Sequence, residues 1–103
     1  MIEAIRGLCD LVLCHAVGDY VLQIDFIAKT KGENWYHLFI HCILYILPFR
    51  IAYGCDLRLL LLFECHIIVD TLKARYKAIS YTHDQLLHYW AAVWLYLLPT
   101  IAR

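Results

Sequence analysis

Apolar residues fill most of this chain in four long runs, and polar residues recur inside those runs at intervals of four. Residues four apart share a helical face, so the spacing predicts helices. Over residues 3–24 the stripe is Leu8, Val12, His15, Asp19 and Gln23. Residues 25–32 read as a polar linker that stops at Gly32. Asn34 is placed to cap a second helix over residues 35–53, which Pro48 kinks or begins to end and Gly54 closes. Asp56 caps a third helix over residues 57–76, where Lys73, Arg75 and Lys77 gather at the end favoured by cations. Thr82, His83, Asp84 and Gln85 fit a capping box, with Thr82 as N-cap and Gln85 at N3. The fourth helix then runs to residue 101, with Pro99 near its end.

Composition decides where such helices belong. The 103 residues are 63% hydrophobic and 17% charged, against about 25% charged in an average soluble domain. Mean hydropathy is +0.63. One domain of this size has no large interior in which to hide helices that are apolar nearly all round. The predicted fold is therefore all-α: a single antiparallel four-helix transmembrane bundle in the lipid bilayer, residues 1–103. The charge-free runs are slightly short of the 20 or so residues of a full span. A soluble helical protein burying its oily faces in a homo-oligomer is the alternative. Net charge is zero, so no basic surface argues for nucleic acid. No secretory signal is evident, since Asp10 breaks the first apolar run. The five cysteines are odd in number and form no C-x-x-C pair, so they read as small buried hydrophobes. Lys29, Lys31, Lys73, Arg75 and Lys77 at one end oppose Arg6, Arg50, Arg58 and Arg103 at the other, which leans that first end toward the cytoplasm.

An up-down bundle brings particular residues together. His15, Asp19 and Gln23 close the first helix, and His37 and His41 open the second. His66, Asp70 and Lys73 close the third, while Asp84, Gln85 and His88 open the fourth. All are expected at one end. Each ionisable group inside hydrocarbon costs about 2.5–3.5 kcal/mol on insertion scales, so several demand mutual pairing or a metal. Histidine with aspartate and no thiolate suits zinc, manganese or iron. The candidate ligands are His15, Asp19, His41, His66, Asp70, Asp84 and His88. Seven exceed one tetrahedral ion, so either two ions share them or some orient the rest, a role also open to Gln23 and Gln85. Asp70 or Asp84, if not ligated, could serve as general base. Lys29 and Lys73 could hold an anionic group, pair with the carboxylates or snorkel to the membrane surface. The competing reading makes His15/Asp19 and His66/Asp70 hydrogen-bonded pairs within their helices and Gln85 a capping residue. Trp35, Tyr36, Tyr76, Tyr81, Trp90 and Trp94 suit interfacial anchors.

The order His15-x3-Asp19-x3-Gln23, Lys29, His41, His66-x3-Asp70-x2-Lys73 and Asp84-Gln85-x2-His88 resembles a family of small bacterial and phage membrane proteins, catalogued as a domain of unknown function. Less closely, it is similar to predicted membrane-bound metal-dependent hydrolases. The first resemblance covers nearly the whole chain and implies an integral protein of the bacterial inner membrane. The second implies metal-dependent hydrolysis of a lipid-linked or phosphorylated substrate. Two other classes compete. A channel or transporter needs polar groups along the whole crossing, and residues 43–47 and 91–98 are nearly all apolar. A non-enzymatic membrane protein that binds a partner would use the cluster only to hold its helices together.

Overall fold

The computed structural model describes residues 1–101, so Ala102 and Arg103 lie outside the description. Helix α1 (Ile2–Ala16) passes without a break into a π-helical turn, Val17–Val21. Helix α2 is short (Asp25–Thr30), α3 runs Trp35–Tyr53, and α4 (Leu57–Asp70) continues as a second π turn, Thr71–Arg75. Helix α5 (Tyr81–Ala92) continues through a third π turn, Val93–Leu97, into α6 (Leu98–Ile101). No strand occurs among the described residues. The all-α expectation holds, as four long rods (one to four: residues 2–21, 35–53, 57–75 and 81–101) and one short helix.

Local chemistry sets the ends. The Asn34 carboxamide accepts from the backbone N–H of Tyr36 and His37, and the Asp56 carboxylate from that of Arg58. The Arg58 guanidinium also bonds both Asp56 oxygens and holds that carboxyl below the usual carboxylate range. The fourth rod starts earlier than the capping box implied: Ser80, not Thr82, accepts from the His83 N–H. Ser80 has the extended backbone an N-cap requires, and Thr82 is already inside the helix. Helix α3 runs five residues past Pro48. Residues 25–30 are a helix rather than a linker, because Ile27 is buried and gives the segment an inner face.

Rods one and two, two and three, three and four, and four and one pack in a ring. The breaks at residues 54–56 and 76–80 are short, and the polar ends of successive rods coincide, so the bundle is antiparallel. One half of it is apolar, with Leu11, Phe49, Leu59, Leu62 and Tyr96 at its centre. The buried face of rod one is Leu11, Cys14, His15, Gly18 and Asp19, while Leu8 and Val12 face outward. The polar half of the expected stripe, His15 and Asp19, thus stays inward, while Leu11 and Cys14 replace Leu8 and Val12 on the buried face. Gly18 makes the close packing of that face possible. A Cβ there would meet the Tyr45 carbonyl oxygen at 2.5 Å, so only glycine lets rod one lie against α3. Cys14 and Cys42 are buried as expected, but Cys9, Cys55 and Cys65 are exposed.

Among the described residues one helix, Trp35–Tyr53, is long and apolar enough to cross a membrane. Rods one and three carry four and five charged side chains, and rod four opens with His83, Asp84, Gln85 and His88. Lys31 is buried, which removes it from the positive charges at the polar end and leaves Lys29, Lys73, Arg75 and Lys77 there.

Candidate metal centre

Rod one contributes His15 from its last α turn and Asp19 from the π turn that follows. The i,i+4 spacing points both inward, and the wider π turn brings Asp19 onto the same face. Helix α3 adds His41 and Tyr45 on one stripe, α4 adds His66 and Asp70, and α5 adds Asp84, Gln85 and His88. His15, His41, His66, Asp70, Asp84 and His88 are 0–2% exposed, and Asp19 is 6%.

The separations fall at metal-ligand scale. Asp19 Oδ1 lies 3.2 Å from His41 Nε2 and 3.9 Å from His66 Nε2, and those two nitrogens are 3.1 Å apart. A tetrahedral ion with bonds of about 2.0–2.1 Å spaces its ligand atoms about 3.3 Å apart. Asp84 Oδ1 and His88 Nε2 are 3.1 Å apart, yet neither makes a hydrogen bond. Buried donor atoms of this kind cost about 1–3 kcal/mol each if left unsatisfied. Three overlapping triads keep their ligand atoms within 4.8 Å of one another: Asp19/His41/His66, His66/Asp70/His88 and Asp19/Asp84/His88. Buried histidine and aspartate groups able to hold a metal ion are therefore present.

A hydrogen-bonded chain stands behind them. Gln85 Oε1 can only accept, so His15 donates through Nε2–H at 2.8 Å. His15 Nδ1 must then accept, and the Tyr45 hydroxyl donates to it at 2.9 Å. The other end of Gln85 donates to Asp19 Oδ2 at 3.0 Å and to Asp84 Oδ2 at 3.1 Å. Every proton in the series has one consistent direction. Both His15 nitrogens are used, so His15 orients the site instead of offering a free ligand atom. Gln85 holds two carboxylates from different rods rather than closing a cap. Stacking fixes the rings: Tyr45 lies on His66 at 3.7 Å between centroids, and His66 on His88 at 4.1 Å.

The lysine at the site is Lys31, not Lys29 or Lys73. Its Nζ lies 3.2 and 3.1 Å from the two oxygens of Asp70. Lys29 is exposed, and Lys73 Nζ sits 5.1 Å from the Tyr81 ring centroid. Gly32 places Lys31 there. A Cβ on Gly32 would run into the backbone of Ala74, and Arg75 donates to the Gly32 carbonyl oxygen at 3.5 Å. Gln23 is half-buried with its Oε1 free of hydrogen bonds. His37 bonds Thr30 Oγ1 at 2.5 Å and stays outside the cluster. The hydroxyls of Tyr20 and Tyr81 bond to each other on the exposed surface of the same end. Tyr45 and Lys31 carried no signal of their own in the sequence. The i,i+4 spacing of Tyr45 from His41 is the one local hint, and nothing local separates Lys31 from Lys29.

Comparison with curated proteins finds no match, and neither does comparison with solved structures. A family model does match, over residues 8–102, a span that includes every residue of the buried cluster. The chain belongs to the family described as "Protein of unknown function (DUF3307)".

Proposed function

We propose that this protein is a membrane-embedded metal protein that hydrolyses a lipid-linked or phosphorylated substrate at the membrane surface. The observation that carries the metal reading is the pair of deeply buried, hydrogen-bond-free donor atoms Asp84 Oδ1 and His88 Nε2. In a polar network without an ion, these atoms would turn to satisfy one another. Asp19, His41 and His66, with Asp84 and His88 beside them, would hold a divalent zinc, manganese or iron ion. Bound there, the ion would acidify a water and polarise a phosphoryl or carbonyl oxygen. Gln85 orients Asp19 and Asp84, and His15 fixes the Gln85 amide through its Nε2–H. Asp84, wherever one of its oxygens is not ligated, is the group able to accept a proton from that water.

The outer surface supports the membrane. Ile2, Leu13, Ile51, Leu57, Leu86 and Trp90 are each more than 60% exposed, and the molecule is 42 Å long, against roughly 40–45 Å for a bilayer with its headgroup regions. Trp35, Tyr36, Tyr76 and Tyr81 are exposed at the polar end, as interfacial anchors would be. In this reading all four rods cross the bilayer, with the histidine and aspartate cluster turned inward.

The enclosure of the cluster favours a second reading, in which the ion only locks four helices together and no substrate reaches it. Element analysis of protein purified in mild detergent without chelator tests the shared part. Wild type should retain a transition metal, and His66→Ala should lose most of it. Metal-free wild type would sink both readings. A metal-loaded protein that hydrolyses neither phosphoester nor lipid-linked substrates would leave the structural reading alone standing.

A further inference from the structure

Four formal charges are buried among the described residues: the carboxylates of Asp19, Asp70 and Asp84, and the ammonium of Lys31. Imidazoles that ligate metal are neutral. Three carboxylates against one ammonium leave two negative charges in a site closed to water. One divalent cation brings that sum to zero. A second would leave two uncompensated positive charges, which a low-dielectric interior penalises steeply.

Lys31 is built into this balance. It is 7% exposed, it spans both oxygens of Asp70, and the close approach of Gly32 to Ala74 fixes its position. A lysine that merely snorkelled would extend its ammonium to solvent. We propose that Lys31 sets the charge of the site, occupying Asp70 and so limiting the cluster to one divalent cation per chain. This rests on the metal reading above.

The test is titration of chelator-stripped protein in detergent with Co2+, reading stoichiometry and affinity from the cobalt absorption bands. Wild type should bind one ion per chain. Asp70→Asn leaves one negative charge and should bind at least ~10-fold more weakly, while Lys31→Met leaves three and should bind at least ~10-fold more tightly. The double variant Lys31→Met/Asp70→Asn restores the wild-type sum and should bind within a few-fold of wild type. If Asp70 instead matters as a ligand, the double variant will bind as weakly as Asp70→Asn, and the proposal falls. It falls equally if wild type takes two ions, or if a folded Lys31→Met binds no more tightly. Should Lys31→Met not fold, Asp70→Asn against the charge-balanced double variant decides. Wild type that binds no Co2+ at all would defeat the metal reading itself, a distinct result.

Discussion

Replacing Gln85 by leucine tests whether the chain behind the cluster is a structural unit. The substitution conserves approximate volume and removes three hydrogen bonds: one accepted from His15 and one donated to each of Asp19 and Asp84. The last two end on carboxylates that are 6% and 1% exposed. Hydrogen bonds to charged groups contribute about 1.5–3 kcal/mol each and a neutral one about 1 kcal/mol. Gln85 is half-buried and water can replace part of this, so a loss of roughly 2–4 kcal/mol is expected for the metal-free protein. For a chain of about 100 residues that corresponds to a fall in Tm of about 10 °C or more. The assay is thermal unfolding followed by circular dichroism in detergent, with and without added Zn2+. Gln85→Glu sharpens it. That isostere still accepts from His15, but it sets a third carboxylate against Asp19 and Asp84, so it should melt at or below the leucine variant without metal. Zn2+ should raise Tm more in Gln85→Glu than in wild type, since the ion relieves the added repulsion. If both metal-free variants melt within about 2 °C of wild type, Gln85 is not holding the carboxylates.

Three further outcomes follow from the same geometry. Tyr45→Phe removes the hydroxyl donated to His15 Nδ1 but keeps the stack on His66, so it should lower stability by about 1 kcal/mol, read by the same melt. Gly18→Ala drives a Cβ against the Tyr45 carbonyl oxygen and should cost about 1–3 kcal/mol, with weaker Co2+ binding because Asp19 moves away from α3. Lys29→Ala should leave stability within about 0.5 kcal/mol of wild type and metal content unchanged, since its side chain lies outside the site.

Much of this architecture was legible in the order of residues, because what determines it is local. Helix existence follows from period and capping, and Asn34, Asp56 and Gly54 end their elements as read. The cap of the fourth rod was not read: Ser80 takes it in place of Thr82, because Ser80 has the extended backbone an N-cap requires. Three of the polar pairs were legible too, His15/Asp19, His66/Asp70 and Asp84/His88, while His37 left the fourth by bonding Thr30. An i,i+4 spacing faces one way wherever the helix lies, and short connections make successive ends coincide.

What the order of residues could not specify is rotation about each rod's own axis and the depth of each connecting segment. Those two quantities decided the roles. Close approach at Gly18 set rod one against α3, and there His15 met Tyr45 and Gln85 with both nitrogens. Close approach at Gly32 drew in Lys31 in place of Lys29, two residues away with the same charge. The chain alone determined which residue types would gather at one end of an all-helical bundle. Only tertiary packing determined which of them face each other as donors, which serve as props and which lysine balances the charge, because hydrogen bonds and ion pairs depend on ångström distances that no spacing along one helix contains.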